Sequence, residues 1–227
     1  MYMRTVPSSD VRGWARRAGF IALAVLCVTS MLATAASAQP VVAKKKPKPK
    51  SPSAGSLSSA LAKGAKGSFS VTYLIKVGAV SGTYTYSQKP PDYTLTFSSK
   101  EGTVEVFLIG KSAYDCVSVA GTNICTKESA STVAPELDLI QPVDQSAKIK
   151  AFVAGAKGIK LSTSTFAKQA STCAAGRYGG VKTTYCVTSG GFLAYAGTKA
   201  GSLSLTGYGG TPPTSAFALP AGAKIVG

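Results

Sequence analysis

Gly82-Thr83-Tyr84-Thr85-Tyr86-Ser87-Gln88-Lys89-Pro90-Pro91-Asp92-Tyr93-Thr94-Leu95-Thr96-Phe97 is the passage that decides the fold. Tyr84 and Tyr86 alternate with Thr83, Thr85 and Ser87, and after the Pro90-Pro91 break Tyr93, Leu95 and Phe97 alternate with Thr94 and Thr96. A period of two with one apolar and one hydroxylated face is the pattern of a half-exposed antiparallel sheet. The large side chains fall on one side, so the sheet has an oily face that another part of the molecule, or a ligand, must cover.

Working outward, Phe69 to Lys76 alternates in the same way and predicts a strand before this hairpin; Leu57 to Lys63 predicts a short helix before it, ended by Gly64 and Gly67. Thr103 to Ile109 reads as a fourth strand, and Ser112 to Val119 with Thr122 to Lys127 as a further hairpin. The pattern then turns helical over Ala134 to Ile140 and, with Asp144 as expected N-cap, over Gln145 to Ala156, where Ile149, Phe152 and Val153 share a face. Strands are expected again at Phe166–Ala174, Val181–Thr188, Phe192–Ala196, Ser202–Tyr208 and Ser215–Leu219. Meandering antiparallel strands curled around an apolar interior, with helices across the opening, would satisfy every amphipathic face. A helix packed on a flat sheet as ordinary core would use the same residues.

Two hairpin turns align the cysteines. Counting outward from Ala120-Gly121 sets 119 against 122 and Cys116 against Cys125; counting outward from Gly179-Gly180 sets 178 against 181 and Cys173 against Cys186. Both fall on close, non-hydrogen-bonded positions that suit disulfides. The expected pairs are therefore Cys116–Cys125 and Cys173–Cys186. No Cys-x-x-Cys is present and the chain has no histidine, so no metal site is expected.

The N-terminus reads as an export signal over residues 1–38. Arg4, Arg12, Arg16 and Arg17 precede the apolar run Phe20 to Ala35, and Ala36-Ser37-Ala38 supplies a cleavage site after Ala38. Retention of the run as a membrane anchor is the alternative. Residues 39–55 form a Lys/Pro-rich linker carrying Lys44, Lys45, Lys46, Lys48 and Lys50, a composition with nothing to bury. This arm suits an anionic membrane surface or cell-wall polymer, beside the plainer reading of a solvated linker. Residues 56–227 form one domain of sixteen basic and eight acidic residues, a balance of +8. Its cations are scattered lysines with Arg177 the only arginine, which argues against a nucleic-acid partner.

The order of elements, with Lys89-Pro90-Pro91-Asp92-Tyr93, Leu108-Ile109-Gly110-Lys111, Ala113-Tyr114-Asp115 and the closing Phe217-Ala218-Leu219-Pro220, resembles the LolA-like lipoprotein-carrier superfamily, including related mycobacterial lipid-binding lipoproteins. The resemblance implies a mainly β, α+β fold: an unclosed antiparallel half-barrel with a short N-terminal helix and a helical lid insertion, holding acyl chains in an apolar cavity. The Lys-Pro arm and the disulfides are not general features of that family, and the lipidated cysteine of the mycobacterial relatives is missing.

Catalytic chemistry has little footing. The absence of histidine removes Ser-His-Asp and Cys-His systems, no Ser-x-x-Lys occurs, and Gly110-Lys111-Ser112 lacks the first glycine of a phosphate loop because Glu105 stands there. No cofactor is expected. The expected function is an exported, monomeric, non-enzymatic carrier or sensor of a lipid or other apolar molecule. Its wall would be Val71, Tyr73, Ile75, Tyr84, Tyr86, Tyr93, Leu95, Phe97, Val104, Val106 and Leu108, and its lid Leu137, Leu139, Ile140, Ile149, Phe152 and Val153. The alternative is a cell-envelope structural or interaction module with a solid core and a basic surface-binding arm.

Overall fold

The computed structural model describes residues 54–64, 67–137 and 142–227. The signal, almost all of the Lys/Pro arm with its five lysines, and the lid positions Leu139 and Ile140 lie outside these described residues. A helix α1 (Ala54–Gly64) leads into six strands: β1 (Phe69–Val77), β2 (Val80–Lys89), β3 (Asp92–Ser99), β4 (Gly102–Ile109), β5 (Ser112–Val119) and β6 (Thr122–Glu128). Helices α2 (Ala130–Leu137) and α3 (Pro142–Gly155) follow. The chain continues through β7 (Lys157–Phe166), β8 (Gln169–Tyr178), β9 (Val181–Thr188), β10 (Leu193–Gly197), β11 (Gly201–Gly209), a 3-10 turn (Thr214–Phe217) and β12 (Lys224–Val226).

All of these strands join one sheet in the order β12-β6-β5-β4-β3-β2-β1-β11-β10-β9-β8-β7. Each neighbouring pair is antiparallel except β12–β6, which is parallel. The two ends of this order do not pair, so the sheet stays an unclosed half-barrel with β12 and β7 as its edges.

The deciding passage forms the β2–β3 hairpin, with Tyr84 opposite Phe97 and Tyr86 opposite Leu95. Tyr84 and Tyr86 also face Tyr73 and Val71 of β1, which puts all of these on the inner, helix-bearing side. The outer side of the same strands is a ladder of hydroxyls, with Ser70 and Ser87 2.9 Å apart. Gly82 is required here because a Cβ would collide with the Phe97 ring and the Ser98 carbonyl, so the ring lies flat across the glycine. The Pro90–Pro91 peptide is cis, and Asp92 just beyond it accepts a 2.8 Å hydrogen bond from the Gly110 N–H. That bond ties the β2–β3 turn to the β4–β5 turn.

Several expected boundaries need correction. Phe166–Ala174 is not one strand: Phe166 ends β7, Ala167 and Lys168 turn with φ of 47° and 62°, and β8 starts at Gln169. Two positive-φ residues are what a tight hairpin reversal demands, but neither is the Gly or Asn that usually announces it. Strand β7 has no counterpart among the expected strands because Lys160 to Thr165 is exposed on both faces and leaves no alternation to read. Ser215–Leu219 is not a strand; Ala216 donates to Pro213 and Ala218 to Ser215, giving a 3-10 turn. α3 starts at Pro142, ahead of Asp144, because proline lacks the N–H that a first turn leaves unpaired. α2 starts at Ala130, earlier than Ala134, because Ser129 caps it by accepting the Thr132 N–H at 3.2 Å.

Both disulfides are present, Cys116–Cys125 across β5–β6 and Cys173–Cys186 across β8–β9, with Cα separations of 4.0 and 3.9 Å. The register sets both on the face opposite the helices. Leu219 and Ala223 of the C-terminal segment pack against the first, and Phe166 and Tyr195 against the second.

Candidate functional site

The strand register collects the whole expected wall on the inner face of β1–β4. Val71, Tyr73, Tyr86 and Val106 are 0–2% exposed; Ile75, Tyr84, Leu95 and Phe97 are buried, and Tyr93, Val104 and Leu108 half-buried. Side chains at 0–2% exposure are packed against neighbours on nearly all of their surface. Val133 of α2 and Phe192 ahead of β10 complete this cluster, with the Phe69 and Phe192 rings 4.5 Å apart. Burial pushes the Tyr73 phenol well above the usual tyrosine range.

The part of the expected lid on α3 does not meet the wall. Ile149 and Phe152 are fully buried, but in a second cluster with Leu57 and Leu61 of α1 and Ala174, Tyr185, Val187 and Leu193 of β8–β10; Val153 packs at its margin. Of Leu137 only the helical backbone is described. Phe152 lies edge-on to Tyr185 at 5.2 Å, and burial followed by the neighbouring Tyr178 holds the Tyr185 phenol up to about 12. α1 and α3 are tied by Ser146 Oγ donating to the Ser58 carbonyl at 2.8 Å. At the other end of α1, Gly64 meets Gly191 so closely that a Cβ on either would strike the other's backbone. α1 and α3 are thus clamped on β8–β10, while α2 packs over β3–β5 with Val133 in the wall cluster.

Among the described residues, open space lies at the β7 end. A trough of about 560 Å³ runs between α1 and strands β7–β9. Eight of its eleven lining residues carry hydroxyls, among them Ser56, Thr163, Thr165 and Thr172, with Ala60, Ala170 and Val187 as the apolar part. Such a lining offers hydrogen bonds throughout and does not favour a bare hydrocarbon chain. The sequence carries a signal for this site, the Ser/Thr run Ser162 to Thr165, but in chemistry and not in hydrophobic period.

The chain is similar in fold to solved proteins. A chain of the Pseudomonas aeruginosa MucA/MucB complex matches with a TM-score of 0.50 and 14% identity, over 76% of this chain and 63% of that one. MucB solved alone matches at 0.44 and 14%, over 74% and 63%. An uncharacterized conserved protein from Thermus thermophilus matches at 0.47 and 10%, over 76% and 98%. No family model and no curated protein matches the chain. The likeness is one of fold. This chain spans about three fifths of the length of the MucB-related chains.

Among the described residues no group of histidine, cysteine, aspartate or glutamate is arranged to hold a metal ion. Asp115 lies opposite Val106 and Thr126 on the inner face. Its Oδ1 is buried with no hydrogen-bond partner among the described residues, and burial, then the charge of Glu128, raises its pKa. A carboxyl whose folded pKa is raised stabilises the fold below its unfolded pKa, and that stabilisation is lost as pH rises through the folded value. Asp115→Asn is therefore expected to raise the melting temperature at pH 7 by about 2–4 °C, as roughly 1 kcal/mol does in a domain of this size. The gain should vanish below about pH 4, where the wild-type carboxyl is protonated in both states. Calorimetry across that range checks it; a gain that persists at acid pH contradicts the assignment.

Proposed function

We propose that the protein is an exported, non-enzymatic binding protein that engages its ligand at the open β7 end of the half-barrel. The observation that carries this is the contrast between Val71, Tyr73, Tyr86 and Val106 over β1–β4, at 0–2% exposure, and a hydroxyl-lined trough of about 560 Å³ beside an exposed edge strand. A hydrocarbon chain in the interior would have to part Val71, Tyr73, Tyr86 and Val106. Burial returns about 0.8 kcal/mol per methylene, but prising apart a packed core forfeits a comparable contact energy for each group displaced. The MucA/MucB structure, in which a protein of similar fold is solved with a protein partner, supports a reading in which the ligand is a protein.

Solvent extraction of the protein purified from its native source, followed by mass spectrometry, tests this. The expected extract contains no stoichiometric lipid, and fluorescent fatty acids leave the protein unlabelled. One lipid per chain would overturn the proposal and restore a carrier whose cargo lies between wall and helices.

A further inference from the structure

We propose that the free edge of β7 takes an extended, acidic segment of a partner protein as a thirteenth strand. This rests on the reading that the β7 end is the binding site, and it names the ligand.

Among the described residues, strand β7 pairs with β8 alone. The two-residue turn sets Phe166 against Gln169 as a hydrogen-bonded pair, so by alternation Ser164–Ser171 and Ser162–Cys173 are hydrogen-bonded too. The narrow Cys173–Cys186 pair on the other side of β8, with Cα atoms 3.9 Å apart, fixes the same phase independently. The N–H and C=O groups of Leu161, Thr163 and Thr165 therefore point out of the sheet, and among the described residues none of them is hydrogen-bonded. Exposed edges are normally blunted by lysines, bulges, proline or a covering segment. Here Lys157, Lys160 and the register shift between them lie at the start of β7, while Leu161 to Thr165 is exposed throughout with no charge and no proline, Leu161 being 39% exposed.

Charge selects the partner. Nine basic residues and no acidic one follow Asp144. Lys157 lies opposite Arg177, and Arg177 opposite Lys182, a row of like charges across three strands that weakens the sheet. Lys160 adds to it on the same strand. A second copy of this chain pairing through β7 would bring two such cationic sectors together, and the Lys-rich residues 39–55 carry the same sign. An acidic strand relieves the repulsion and supplies the missing backbone partners at once.

The test uses the mature chain, residues 39–227, and a panel of fluorescein-labelled peptides as long as β7 that alternate Thr or Val with Glu, beside matched Lys versions. Anisotropy gives affinity, and amide hydrogen exchange by NMR locates the contact. The acidic peptides should bind, weaken as salt is raised, and protect the Leu161, Thr163 and Thr165 amides. Thr163→Pro removes one outward N–H and no β7–β8 bond, so it should keep the melting temperature and lose roughly tenfold or more in affinity. Lys157→Glu with Lys160→Glu should exchange the preference for the Lys peptides, which holds the proposal to account even if the proline variant fails to fold. Failure of the whole acidic panel, protection elsewhere, or self-association through β7 on sedimentation overturns it. If the peptides fail while material extracted with the native protein shifts the Thr172 and Val187 resonances, the trough stands without the peptide; if neither moves them, both fall.

Discussion

Removing both disulfides lowers the stability of the domain by about 5–6 kcal/mol, with each contributing about 3 kcal/mol. The two pairs close loops of sequence separation 9 and 13, and loop-closure entropy of the unfolded chain scales only with the logarithm of that length. They lie on β5–β6 and β8–β9, far apart in the strand order and in different clusters, so their effects should add within a few tenths of a kcal/mol. Since folded domains hold about 5–15 kcal/mol in total, the fourfold replacement should keep about 0–9 kcal/mol. Urea titration of Cys116→Ala/Cys125→Ala, Cys173→Ala/Cys186→Ala and the fourfold variant measures all three. A fourfold loss no larger than one pair alone would mean that the two halves of the sheet do not unfold as one unit.

Phe152→Ala is expected to cost about 3–5 kcal/mol, the range for emptying a fully buried phenylalanine site. Phe152 is 0% exposed and touches the rings of Tyr185 and Tyr178, with centroids at 5.2 and 6.2 Å. It anchors α3, and through the α3–α1 contact also α1, on β8–β10. Collapse into the cavity is resisted because the β9–β10 link is already held by the Gly64–Gly191 approach. Chemical denaturation gives the number, and hydrogen exchange should show the loss concentrated in α1 and α3 while β1–β4 hold. A cost below about 1 kcal/mol would show that the helices are held by something other than this cluster.

Legibility in the sequence follows hydrophobic period and turn chemistry. β1–β6 can be read because Tyr73, Tyr84, Tyr86, Leu95 and Phe97 alternate with hydroxyls, and Gly121 and Gly180 mark reversals that fix the cysteine registers. β7 escapes because a strand with both faces in water has no reason to alternate, and its turn is made by Ala167 and Lys168 in place of glycine. The inner-face wall can be named from period alone, but whether Ile149 and Phe152 close over it or pack elsewhere depends on where α1 and α3 land. That depends on three-dimensional fits such as Gly64 against Gly191, which no local pattern encodes. The trough is invisible for a related reason: hydroxyls are ordinary outer-face residues until the fold leaves room beside them.

Edge binding and interior binding part company in where the occupied protein differs from the empty one. Site-resolved hydrogen exchange on protein taken from its native source, before and after stripping with solvent and high salt, answers this directly. The expected change is confined to β7–β9, with faster exchange at Leu161, Thr163 and Thr165 after stripping and none at Val71, Tyr73 or Tyr86. Faster exchange along β1 and β2 with β7 unaltered would contradict it and assign the ligand to the interior.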